Sequence, residues 1–136
     1  MKSKINALVT GASRGIGRAT AIELSKRGYA LAVHYGKNKA EAENTLSMLH
    51  GEGHFICKAD FGKVEEIDHL FNQLDQHFDE IHVVVNNAGV AIEHPLEMAS
   101  NDWLEQFQKI VEVNLFGAAL VCHHSLKRMK ATPLSM

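Results

Sequence analysis

Thr10-Gly11-Ala12-Ser13-Arg14-Gly15-Ile16-Gly17 is the stretch whose residue types and spacing point most directly to chemistry. It lies between the apolar run Ile5 to Thr10 and a segment of helical character that starts at Gly15. Gly11 permits a tight turn, Gly15 lets the main chain approach a bulky anion, and Gly17 lets the helix pack closely on the strand. A helix beginning here turns its unpaired N–H groups and the positive end of its dipole toward that anion, which suits a pyrophosphate. Ser13, Arg14 and Ile16 belong to the same binding turn. A glycine turn that serves only chain geometry, in an unrelated α/β domain, is the competing reading.

Three further groups stand at comparable places. Asn86-Asn87-Ala88-Gly89 follows the β-branched run Val83-Val84-Val85. Asp60-Phe61 follows an apolar run from His54 to Ala59. Asn114 falls within the apolar stripe Trp103, Phe107, Ile110, Val111, Leu115, Ala118 of the last long helical segment, where a buried amide needs a hydrogen-bonding partner. A plain turn for Asn86 to Gly89, a helix-capping role for Asp60 and a structurally paired Asn114 are the bland alternatives.

These groups need elements to place them. Apolar runs at 5–10, 30–35, 54–59 and 81–85 read as strands. They alternate with helical stretches: Gly15 to Arg27, stopped by Gly28; Asn38 to His50, stopped by Gly51; and Val64 to Phe78, whose Ile67, Leu70, Phe71 and Leu74 recur on one face. A final helix is expected from about Asn101 to about Met129. Strands and helices in alternation, joined by short turns, predict an α/β doubly wound parallel sheet of Rossmann type with strand order 3-2-1-4. Its ligand crevice would open at the carboxyl ends of strands 1 and 4.

The pattern T-G-x-x-x-G-x-G, the N-N-A-G after strand 4, and Val113-Asn114-Leu115-Phe116-Gly117 together resemble the short-chain dehydrogenase/reductase family, over residues 4 to 130. The likeness is closest to its 3-oxoacyl-[acyl-carrier-protein] reductases and related NADPH-dependent carbonyl reductases. The resemblance implies an NAD(P)-dependent oxidoreductase that moves hydride to or from a small carbonyl or alcohol. It assigns Gly11, Ser13, Arg14, Gly15, Ile16 and Gly17 to the cofactor's phosphates, and Asp60 and Phe61 to its adenine. Asn86, Ala88 and Gly89 would floor the nicotinamide ribose. Asn114 would be the catalytic-tetrad asparagine that holds a water in a proton relay. The resemblance also makes the last helix a dimer-forming one, so a homo-oligomer is implied.

NAD-selective domains carry an acidic residue at the end of strand 2 to bind the ribose 2′-hydroxyl. Here that region reads His34-Tyr35-Gly36-Lys37-Asn38-Lys39, with no carboxylate. Lys37, helped by Arg14, favours a 2′-phosphate, so NADP(H) is expected ahead of NAD(H). Tyr35 and Lys39 reproduce the Tyr-x-x-x-Lys spacing of the family's catalytic pair, but they follow strand 2, at the adenosine end, and are rejected for that role.

Family members add a strand-5 Ser and a Tyr-x-x-x-Lys helix, which the 136 residues do not contain. The expectation is therefore a dinucleotide-binding domain over 1–130, a divergent tail over 131–136, and a C-terminally truncated chain inactive alone. A non-catalytic dinucleotide-binding module, or a subunit partnering full-length chains, is the alternative. A net charge of −2 argues against a nucleic-acid partner. The nine histidines and two cysteines show no metal-ligand spacing. Neither a signal peptide nor a bilayer-length apolar run is visible, so a cytoplasmic protein is expected.

Overall fold

A computed structural model describes residues 4–130 of the chain. Four parallel strands, β1 (Ile5–Val9), β2 (Tyr29–Tyr35), β3 (Phe55–Lys58) and β4 (Val83–Val85), form one sheet in the order β3-β2-β1-β4. This is the expected order, and it reverses between β1 and β4. Ala7, Leu8 and Val9 stand opposite Leu31, Ala32 and Val33 on one side and opposite Val83, Val84 and Val85 on the other.

Strand side chains alternate between two faces, and the helices divide accordingly. Ala7, Val9, Leu31 and Val33 pack with Ala21 of α1 (Gly15–Lys26) and Ala42 of α2 (Lys39–Ser47). Leu8, Ala32 and Cys57 face the other way. They meet Ile67, Leu70, Phe71 and Leu74 of α3 (Val64–His77) and Val121 of α5 (Ala118–Leu126). Complete burial of each of those α3 side chains stabilises by roughly 1.5–3 kcal/mol before entropy is counted. Burial in the same core pushes the Cys57 thiol well above its ordinary range, so it stays protonated and inert. Arg128 clamps α5 to α3 with a bidentate ion pair to Asp75, at 2.6 and 2.7 Å, while its guanidinium lies over the Phe71 ring.

Three boundaries differ from expectation. Helix α2 ends at Ser47, not His50: the Met48 and Leu49 N–H groups close a tight last turn, and His50 N–H instead donates to Ser25 Oγ at 3.0 Å. Strand β4 begins only at Val83, since Ile81 N–H donates to the Arg128 carbonyl and its side chain joins the α3 core. The last helix is not continuous. It runs as α4 (Ser100–Val111), a π-helical turn over Glu112–Gly117, and α5. The tail assigned to 131–136 lies outside the described residues.

Helix α4 buries none of its residues, and Leu115 and Phe116 of the π-turn are 59% and 57% exposed. Of the apolar stripe read from the sequence, Phe107 and Leu115 are exposed, while Trp103, Ile110, Val111 and Ala118 are half-buried. No helix among the described residues is long and apolar enough to cross a membrane.

Candidate functional site

The carboxyl ends of β1 and β4 are knotted together. The Thr10 hydroxyl accepts from the main-chain N–H of Asn87 and of Ala88, both at 2.9 Å. The Asn87 amide nitrogen donates back to the carbonyls of Thr10, at 3.0 Å, and Gly11, at 3.2 Å. Gly11 needs its missing side chain twice over. Its φ is +63°, and a Cβ there would stand 2.9 Å from the Ala88 Cα. Gly17 is tighter, because a Cβ on it would collide with the Gly11 carbonyl oxygen and with the Asn87 amide.

Gly15 is different in kind. Its φ is +58°, yet a Cβ would meet nothing within 4 Å. The space in front of α1 is open. No side chain caps the helix, no acidic residue occupies its first turn, and Ile16 is 78% exposed. The first-turn N–H groups and the dipole thus face open space with no internal anion to satisfy them, which fits a bound pyrophosphate. The turn is braced from behind. The Thr45 hydroxyl donates to the Ala12 carbonyl at 2.9 Å, and Arg18 links the Ser13 carbonyl to Thr45 and Glu41.

At the end of β2, Lys37 and Lys39 are exposed, and Lys39 pairs with Glu43 at 3.6 Å. Arg14 and Lys37 are exposed and make no ion pair among the described residues. Tyr35 is buried, while Lys39 is exposed.

At the end of β3, Asp60 Oδ1 accepts from the Gly62 N–H at 2.9 Å, a local turn; the cap of α3 is Lys63, without a side-chain bond. Glu66 reaches back to the Asp60 N–H at 2.7 Å, and that hydrogen bond, aided by Lys63, holds its carboxyl below the usual range. The Phe61 side chain is core, stacked on His34 with ring centroids 4.3 Å apart.

The π-turn completes the arrangement. It drives Gly117 against Phe61, where a Cβ would sit 2.7 Å from both the Phe61 Cβ and its carbonyl oxygen. Asn114 contradicts the expectation of burial, for it is exposed. It is nonetheless paired: Oδ1 accepts from the Val90 N–H at 2.7 Å, and Nδ2 donates to the Val90 carbonyl at 2.8 Å. A Cβ on Gly89 would stand 3.4 Å from Asn114 Oδ1. Contacts therefore run unbroken from Gly11 through Asn87, Ala88, Gly89 and Val90 to Asn114.

The Asn86 amide points away from Thr10, donating to the Ala118 carbonyl at 2.8 Å. The residue that ties the strand ends is Asn87, which the sequence reading held within its Asn-Asn-Ala-Gly turn but did not assign to the site, as it did not assign Thr10 or His34. The signal for Thr10 was present, since it opens the glycine pattern. Nothing local distinguished Asn87 from Asn86.

A family profile described as short chain dehydrogenase matches residues 5–133. A short-chain type dehydrogenase/reductase of Picea abies is 36% identical over 132 residues, covering 90% of this chain and 48% of that protein. A 3-oxoacyl-[acyl-carrier-protein] reductase FabG of Staphylococcus epidermidis is 35% identical over 115 residues, covering 82% and 46%. Among solved structures, the landomycin C-6 ketoreductase LanV with bound NADP and rabelomycin superposes with a TM-score of 0.77 at 32% identity, covering 92% of this chain and 53% of that one. The chain spans about half the length of the curated relatives it matches. Its glycine turn, strand order and strand-4 knot, taken with these matches, place the chain in the short-chain dehydrogenase family of oxidoreductases.

Proposed function

We propose that these residues bind NADP(H) for an oxidoreductase acting on a carbonyl or alcohol. The observation that carries this reading is the open, uncapped start of α1 behind Gly11 and Gly15, together with the cations Arg14 and Lys37, which are unpaired among the described residues. The first-turn N–H groups of Gly15, Ile16 and Gly17, with Ser13 beside them, would hold the pyrophosphate. Arg14 and Lys37 would take the 2′-phosphate. Asp60 would turn Oδ2, which lies 3.9 Å from Lys63 Nζ, to the adenine amino group, while Phe61 offers only its main chain. Asn86, Ala88 and Gly89 would border the nicotinamide ribose. The bound nicotinamide would supply or accept the hydride. Asn114, with both ends of its amide engaged by Val90, would act by positioning the strand-4 loop and the π-turn. The bound NADP of LanV supports the choice of cofactor.

The test is titration of the purified chain with NADPH and NADH, followed by nicotinamide fluorescence and thermal melting together. Saturable binding, tighter for NADPH and accompanied by a raised melting temperature, is expected. A melting temperature unmoved by saturating NADPH would overturn the assignment.

A further inference from the structure

His34 stands at the end of β2, 3% exposed, and the glycine turn rests on it. Its Nδ1 lies 3.0 Å from the Gly11 nitrogen and accepts that N–H. Its Nε2 lies 2.9 Å from the Ala59 carbonyl oxygen, at the end of β3. One neutral tautomer satisfies both contacts, with the proton on Nε2 and the lone pair on Nδ1. The imidazolium would turn an N–H against an N–H. The Phe61 ring stacked on the imidazole fixes its plane, and the His34 carbonyl accepts from the Ala12 N–H at 2.8 Å. The Gly11 peptide is thus held at both ends, its N–H by His34 and its carbonyl by Asn87.

We infer that His34 is a positioning residue for dinucleotide binding: its Nε2–H tautomer spans from Gly11 to Ala59 and holds the phosphate turn in register with Asp60. The inference rests on the NADP(H) reading above. The phosphate turn and the adenine-side carboxylate belong to different strands. A rigid ring between them sets the separation that the two ends of one extended ligand must match. A flexible side chain could fill the volume but could not fix that distance.

Two substitutions separate the two contacts. In His34→Asn the amide oxygen falls near the place of Nδ1 and can still accept from Gly11. In His34→Gln the amide nitrogen falls near the place of Nε2 and can still donate to Ala59, leaving the Gly11 N–H without its acceptor. Amide exchange at Gly11 in the full 136-residue chain is measured first, with no ligand. Exchange at the wild-type rate in the Asn variant and clearly faster in the Gln variant is expected. NADPH affinity should follow, staying within about threefold of wild type for Asn and falling about tenfold for Gln, the effect of one hydrogen bond.

Equal exchange and equal affinity in the two variants would overturn the inference. So would a ring nitrogen spectrum of the wild-type chain showing the proton on Nδ1, a measurement that decides the matter even if both variants fail to fold. A wild-type chain that binds no NADPH, yet shows the Asn/Gln difference at Gly11, would sink the cofactor reading while leaving the strut intact.

Discussion

The amide nitrogen of Asn87 lies 3.0 Å from the carbonyl oxygen of Thr10, a residue 77 positions earlier in the chain. That bond, its companion to Gly11 and the two returned to the Thr10 hydroxyl join the turn that would face the phosphates to the turn that would face the nicotinamide. Each turn alone is a short loop free to rearrange. Together they form one unit.

Removing the hydroxyl at the centre of that unit should show its value. Thr10→Val keeps the shape and strands the Ala88 N–H, while the Asn87 N–H keeps its second acceptor, the Val85 carbonyl, at 3.1 Å. A stranded, half-buried donor costs about 1–3 kcal/mol. Denaturant titration should report a loss in that range, with Thr10→Ser recovering most of it; a Val variant as stable as wild type would deny the knot its role.

Two of the turn glycines should differ. Gly17→Ala drives a methyl into the Gly11 carbonyl and should cost roughly 1–3 kcal/mol and abolish NADPH binding. Gly15→Ala meets no atom and bears only the left-handed backbone, about 1 kcal/mol, so it should fold and bind more weakly. Melting curves with and without NADPH distinguish the two, and identical behaviour would contradict the geometry.

Selectivity should rest on exposed charge. Arg14→Ala combined with Lys37→Glu should weaken NADPH at least tenfold more than NADH, and raised ionic strength should mimic part of that loss. Equal losses for both dinucleotides would remove the case for a 2′-phosphate site.

Acid should unfold the chain partly through His34. Burial holds its pKa down at about 4, against 6.5 for the free side chain. Between those values the unfolded chain binds the extra proton and the folded chain does not. Stability is therefore full above pH 6.5 and declines toward pH 4, by about 3 kcal/mol in all. Stability curves over that window should carry this slope, and His34→Asn should flatten it. Asp75, held down mainly by its hydrogen bonds from Arg128, loses its contribution in the same direction but at lower pH.

The glycine turn and the four strands were legible because their signals are local: a fixed spacing, β-branched runs, and a period that changes between strand and helix. The strand order followed from right-handed crossovers within a doubly wound Rossmann arrangement. What stayed hidden depends on contacts between distant segments. Asn86 and Asn87 are adjacent and chemically identical, and only the pleat at the end of β4 decides that Asn87 meets Thr10 while Asn86 meets Ala118. The π-turn around Asn114 needs one residue more per turn than its sequence announces, and its contacts are with Phe61 and Val90, on other elements. His34 read as one histidine among nine, since nothing near it in sequence indicates that Gly11 and Ala59 bracket its ring.

The pairing of β1 with β4 also has a consequence in time. During synthesis β1 emerges before the other three strands of this sheet, and β2 can pair along one side of it within a few seconds. Its other side must wait for Val83 to Val85, which are roughly 4–16 s behind at ordinary ribosomal speeds of about 5–20 residues per second. Throughout that interval Ala7, Leu8 and Val9 offer an unsatisfied backbone edge to any passing chain. Slowed translation between codons 10 and 83 would therefore lengthen the nascent chain's dependence on chaperones, without altering a single residue of the finished protein.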